Sequence, residues 1–110
     1  MNKHDIELLE AAAKAAGATD THQWSNKFAA SFKGRLGLQK WNPLDDDGDA
    51  FRLAVKLEIA FGPVYGVAEV GTTYMAGPFR RHITEEFTRD PLKATRRAIV
   101  RAAAHIGGHR

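Results

Sequence analysis

Three observations predict an α+β fold, with a small antiparallel sheet of three to five strands, helices at both termini and one helix in the middle. Apolar residues recur at helical spacing in three separate stretches, 6–16, 50–57 and 92–106. Between them, 28–38 and the region leading to Phe87 alternate with period two. Gly and Pro positions divide these stretches from one another, and no linker, repeat or low-complexity tract breaks the chain, so residues 1–110 form a single domain.

The first helix is capped by Asn2, with Asp5 three residues on as a short relative of the capping-box partner. Ile6, Leu9, Ala13 and Ala16 mark its inner face, and Gly17 ends it. Residues Thr19 to Asn26 read as a polar connector in which Trp24 is expected to anchor to the core, because large aromatics are usually buried. Phe28, Ala30 and Phe32 then share one side of a strand with Leu36 and Leu38 of the next. A three-residue loop, Lys33-Gly34-Arg35, sets Phe32 against Leu36 and Ala30 against Leu38, and Trp41 closes the second strand.

The central stretch is WNPLDDDGDAFRLAVKL, Trp41 to Leu57. Pro43 fixes its own φ and drives Asn42 towards extended geometry, which forces a turn before any helix can start. The acids Asp45, Asp46 and Asp47 supply an N-cap and negative charge in the first turn, where free N–H groups and the helix dipole favour it by about 0.3–1 kcal/mol per contact. Ala50, Leu53, Ala54 and Leu57 make the packing stripe, leaving Asp49, Arg52 and Lys56 off it. An EF-hand reading of the same run fails: with Gly48 at the sixth loop position, Pro43 stands at the first and Ala54 at the twelfth, where a bidentate Glu is required.

Beyond Leu57 two continuations stay open. The helix runs on to Gly62, or a strand starts near Glu58; Gly62-Pro63 interrupts either. Val64 to Tyr74 is β-branched and aromatic and reads as a strand, followed by a turn at Ala76-Gly77-Pro78. The last strand carries Phe79, Ile83 and Phe87 on one face and Arg80, His82, Thr84 and Glu86 on the other. Asp90-Pro91 opens the final helix as cap and first residue, Leu92, Ile99, Ala103 and Ile106 form its buried stripe, and Gly107-Gly108 stops it.

Composition excludes several classes of function. The chain has no cysteine, so disulfides and thiolate metal sites are absent and a reducing compartment is compatible. No apolar run approaches the roughly 18 residues of a membrane span, and the polar segment after Met1 is no export signal, so a cytoplasmic location is expected. A net charge of +3 is mild for a nucleic-acid binder. Its distribution is uneven, with acids at Asp5 to Glu10 and Asp45 to Asp49 and bases in the last third.

No catalytic constellation emerges. His105 and His109 have the four-residue ligand spacing, but Gly107-Gly108 unwinds the helix between them and no carboxylate completes a metal site. Ser25 and Ser31 lie in no nucleophile elbow, Glu85 and Glu86 point to opposite faces of a strand, and the glycines form no phosphate cradle. The residues therefore point to a protein that is not an enzyme and uses no cofactor or metal. One directional feature remains: Lys93, Arg97, Arg101 and His105 form a row at i, i+4, i+8 and i+12, about 18 Å long by helix rise, with Arg96 beside it. This row is a candidate contact for an acidic protein surface or a phosphate backbone, against the plainer reading of a solvated face paired in part with Asp45 to Asp49.

Two stretches, WNPLDDDGDAFRLAVKL at 41–57 and DPLKATRRAIVRAAAHIG at 90–107, resemble a family of small phage and prophage proteins of unknown function, akin to the phage ABA-sandwich domain. Its pattern is a WNPxxDDGDAxRLAVKL segment followed near the C-terminus by an ATRRAIVRAAAxIG helix. The match covers a third of the chain, and Asp45 stands where the family pattern suggests Thr or Ser. In this motif Trp41, Asn42, Pro43, Asp45, Asp49, Leu53 and Leu57 have structural roles. The resemblance implies a helix–sheet–helix sandwich and an origin in a bacteriophage or prophage, and it implies no reaction. The expected activity is binding of a macromolecule, a protein partner ahead of a nucleic acid, with inhibition of a host defence system or an oligomeric structural role as alternatives.

Overall fold

The computed structural model describes residues 1–34, 37–64, 67–73, 80–86 and 90–108. Three helices, α1 (Lys3–Ala15), α2 (Asp47–Leu57) and α3 (Pro91–Ile106), occur at the two ends and the middle of the chain. Six strands, β1 (Ala18–Trp24), β2 (Lys27–Phe32), β3 (Gln39–Lys40), β4 (Ile59–Val64), β5 (Val67–Thr73) and β6 (Arg80–Glu86), form two antiparallel three-stranded sheets, β1-β2-β3 and β4-β5-β6. The fold is α+β, with each half of the chain contributing its own sheet.

A cap forms at each of the three expected helix starts, and from the run Asp45, Asp46 and Asp47 the structure selects Asp46. Asn2, Asp46 and Asp90 each accept a hydrogen bond from the backbone N–H three residues on, at 2.8, 2.7 and 3.0 Å. Such caps satisfy donors the helix cannot satisfy itself. Gly17 ends α1 at φ 89°, a conformation that costs a side chain roughly 1 kcal/mol or more. At the end of α2 the left-handed residue is Glu58 (φ 56°), whose N–H returns to the Ala54 and Val55 carbonyls. That stops the helix and starts β4 at Ile59, which decides between the two continuations left open by sequence.

The first sheet corrects the sequence reading in three ways. Residues 19–26 are not a connector: β1 pairs with β2 through a two-residue turn, Ser25-Asn26, with Trp24 opposite Lys27. The strand escaped notice because it is an edge whose residues are mostly exposed, so no apolar alternation marks it. Trp24 is accordingly exposed and lies against the His22 ring at 5.1 Å instead of the core. Finally, Ala30 pairs with Gln39 rather than Leu38, which is exposed; of the expected Phe32–Leu36 pair, Leu36 and the loop residue Arg35 lie outside the described residues. The shift brings Trp41 opposite Phe28, whose carbonyl accepts the Trp41 N–H at 3.0 Å.

Asn42 to Asp49 fold into a small hydrogen-bonded turn. The Asn42 side-chain oxygen accepts from the Leu44 N–H, its carbonyl accepts from Asp45 and Asp46, and its own N–H donates to the Asp49 carboxylate at 2.9 Å. Pro43 is fully buried under it. Ala50, Leu53 and Ala54 are buried as the periodicity predicts, and Leu57 packs at the core margin.

In the second sheet, β4 runs through Gly62 and Pro63, which were expected to interrupt it. It can do so because β4 is an edge strand, where a missing N–H need break no ladder. The long strand expected from Val64 to Tyr74 divides, with Val64 paired to Val67; Tyr74, the turn at 76–78, Phe79 and Phe87 lie outside the described residues. Ile83 packs against the core.

The layers meet through the helices. α1 packs on α3 and on β1 and β2, while α3 packs on α2 and on all three strands of the second sheet. Alanines make the close helix contact possible: Ala12, Ala13, Ala98, Ala102, Ala103 and Ala104 are all completely buried. Of the stripe expected for α3, Ile99 and Ala103 are buried and Ile106 packs at the core margin, whereas Leu92 is exposed and Ala94 and Ala98 take the buried face at the start of the helix. Among the described residues no helix is long and apolar enough to cross a membrane.

Candidate functional site

The basic row on α3 is largely consumed within the fold. Arg97 reaches both the Asp5 carboxylate of α1 at 3.0 Å and Glu85 of β6 at 3.2 Å. Arg101 shares Glu85 at 3.3 Å and donates to the Thr84 carbonyl. Arg96 donates to the Leu44 carbonyl at 2.8 Å and pairs with Asp47 at 2.7 Å, the contact with the 45–49 acids that the plainer reading anticipated. Of the four named candidates only Lys93, exposed in the first turn, has no ion pair among the described residues; His105 is half-buried, and His109 lies outside them.

These arginines thus act as cross-links from α3 to α1, to β6 and to the α2 cap. Their partners come from 92, 49 and 17 residues away in sequence, which helical spacing by itself cannot reveal. Arg97→Ala is expected to lower stability by about 1–2 kcal/mol, between the values for an exposed and a buried pair, because Asp5 loses its cation while half-buried. Denaturant unfolding at low and high salt checks this. An unchanged midpoint at both would show the pairs to be inert.

The acids are occupied in the same manner. Asp46 and Asp90 cap helices, Asp49 holds the Asn42 N–H and Arg52, and Asp47 takes Arg96. Among the described residues no group of three or more His, Cys, Asp or Glu side chains can hold a metal ion.

A different surface stands out where α2, α3 and β4 meet. Phe51 and Leu92 are 59% and 62% exposed, and Phe61 is 42% exposed. Together with Ala50, Thr95 and Ile99 they line a cleft of about 220 Å³ that is almost wholly apolar. The Asp47–Arg96 ion pair forms part of its rim. Val55, one helical turn on from Phe51 and 63% exposed, extends the apolar surface along α2. Single exposed apolar residues are ordinary, whereas a clustered concave group is characteristic of binding surfaces.

Local structure explains the cleft. Ile59 and Phe61 lie on the same face of β4, Ile59 under the helices in the core and Phe61 beyond their cover. Phe51 lies one residue from the buried Ala50 and two from Leu53, on the flank of the α2 stripe. Sequence reading assigned Leu92 to the core and left Phe51 unassigned. A signal was present: Phe51 and Val55 stand at i and i+4 outside the packing stripe, an apolar pair with no role in it. No family model, curated protein or solved structure matches this chain.

Proposed function

We propose that this protein is a non-catalytic accessory protein of a bacteriophage or prophage, acting inside the bacterial host cell by binding a partner protein at the Phe51–Phe61–Leu92 cleft. The origin rests on the resemblance of the 41–57 and 90–107 segments. The observation that carries the mode of action is the cleft itself: apolar, concave and bordered by an ion pair that supplies a polar rim. Its size fits one large apolar side chain of a partner, the usual centre of a protein interface.

The non-catalytic reading is supported by the employment of Asp5, Asp46, Asp47, Asp49, Glu85 and Asp90 in caps and ion pairs. A nucleic-acid contact through Arg96, Arg97 and Arg101 is less favoured than the notion of a free basic row suggested, because each already has a carboxylate partner. Inhibition of a host defence protein is one form that such binding can take.

Tagged wild-type protein and a Phe61→Ser/Leu92→Ser variant, presented to lysate of phage-infected host cells, test the reading. A host or phage protein should be retained by the wild type and lost by the variant while the variant's unfolding temperature stays close to normal. Equal retention by both, or turnover of a substrate that a point substitution abolishes, would overturn it. Light scattering on the purified chain separates the structural alternative, since an oligomer dispersed by the same two substitutions would mean that the cleft serves self-assembly.

A further inference from the structure

The Phe51–Phe61–Leu92 cleft lies beside an open sheet edge. β4 carries Phe61, one wall of the cleft, and among the described residues it has a neighbouring strand, β5, on one side only. Its pairing with β5 continues through Pro63, which stands opposite Ala68. A proline keeps its place in a ladder only where its nitrogen faces away from the neighbouring strand. Main-chain groups alternate in direction along an antiparallel strand, so those of Ile59 and Phe61, at the same alternate positions as Pro63, also face the open side. Unlike Pro63, both have an N–H as well as a carbonyl to offer.

This edge restricts what can cover the cleft. α3 packs over all three strands of the sheet and Phe61 lies beyond its cover, so a partner reaches the Phe61 ring from the open side. In doing so it also takes water away from the Phe61 N–H and carbonyl. A helix has its own main-chain groups already bonded and would leave these two dry and unpaired, which opposes binding. An extended segment supplies a donor and an acceptor at the matching spacing. A second copy of this chain would bring its own β4, but the Phe61 side chain there already forms a wall of its own cleft and is not free to fill another.

We propose that the partner docks as an added antiparallel strand along Ile59–Phe61, and that its residue opposite Phe61 is a large aliphatic or aromatic one that fills the cleft. The proposal rests on the cleft reading and names the form of its occupant. Antiparallel addition lets a single partner residue exchange both main-chain bonds with Phe61. Directly opposed residues point to the same face with Cβ atoms about 5 Å apart, which aims that side chain to the Phe51 and Leu92 side. Its two neighbours in the partner point to the other face, where Ala60 is exposed, and are polar. Because Pro63 lacks an N–H, the docked ladder is short and recognition leans on the one anchoring side chain.

Titration of the isotope-labelled full chain with capped peptides Thr-Thr-Lys-X-Lys-Thr-Thr, followed by amide NMR signals, tests this. With leucine at X, the Ile59 and Phe61 amide protons should move downfield and exchange more slowly with solvent. With alanine at X the cleft stays unfilled, and affinity should fall roughly tenfold or more. N-methylleucine at X keeps the side chain but removes the N–H that bonds the Phe61 carbonyl, and should also weaken binding about tenfold or more. N-methylation of the lysine that follows X, whose N–H faces away from β4, should change little. Phe61→Ser/Leu92→Ser should bind the leucine and alanine peptides alike. No binding of the leucine peptide at millimolar concentration, or an equal response to the two N-methyl groups, would overturn the proposal. Preference for leucine over alanine that tolerates N-methylation at X would strike the strand and spare the cleft, whereas equal binding of leucine and alanine by the wild type would strike the cleft itself.

Discussion

Replacing Gly107 by alanine is expected to destabilise the protein by about 3 kcal/mol or more, at the upper end of what overpacking a close contact costs. A Cβ at this position would stand only 2.1 Å from the Ala11 carbonyl oxygen and 2.9 Å from its carbonyl carbon. Both atoms are backbone of α1, so no side chain can turn aside. The C-terminus of α3 would have to lift off α1, opening the alanine contact that joins the two ends of the chain.

The cause is space and not backbone conformation, since Gly107 has φ −75°, which any residue adopts. Two other glycines separate these effects. Gly17→Ala meets no atom within 4 Å but requires φ 89°, so its cost should stay at about 1 kcal/mol. Gly48→Ala gains helix propensity, which offsets the small shift it asks of the Arg52 guanidinium at 3.1 Å and the capping Asp46 carboxylate at 3.2 Å, so it should be close to neutral. Thermal unfolding of the three variants should therefore rank Gly107→Ala far below Gly17→Ala, and Gly48→Ala near wild type. A Gly107→Ala protein melting within about 2 °C of the parent, well under the 4–8 °C that 1 kcal/mol moves a domain of this size, would contradict the close approach.

Phe28→Ala should be comparably damaging, at about 3–5 kcal/mol, the usual cost of emptying a buried phenylalanine site. Its side chain is only 1% exposed and lies 6.2 Å from the Trp41 ring, which in turn meets Phe32. That cluster is where the first sheet joins the core. Losing it should loosen β2, β3 and the turn leading into α2 together, because Trp41 carries both the ring contact and the hydrogen bond to Phe28. Against a total stability on the order of 5–15 kcal/mol, such a loss is a large fraction. Trp24→Ala provides the contrast: the same class of side chain, exposed on an edge strand, should shift stability by roughly 0.5 kcal/mol or less. Similar losses for the two variants would mean that the Phe28 environment is not the anchor described.

Local chemistry was legible in the chain. Asn2, Asp46 and Asp90 cap helices because a short polar side chain reaches the N–H three residues on, a relation that lies wholly within a few residues. The Ala50–Leu53–Ala54 stripe was legible for the same reason, as was the turn that Asn42-Pro43 imposes. Strand β1 was not, since an edge with mostly exposed residues leaves no apolar alternation to read. Nor was the fate of Leu92, which stands at helical spacing from Ile99 but lies where α3 passes beyond the cover of its neighbours.

The amino-acid order by itself determined where the three helices begin, where α1 and α3 end, which faces of α1 and α2 are apolar, and the α+β class, because these depend on contacts a few residues apart. Only the tertiary structure decided that the strands divide into two sheets, that Arg97 and Arg101 spend their charge on Asp5 and Glu85, and that Phe51, Phe61 and Leu92 converge on one cleft. Those outcomes depend on which segments meet across the whole chain. Periodicity reports which way a side chain faces on its own element and carries no information about what arrives opposite it.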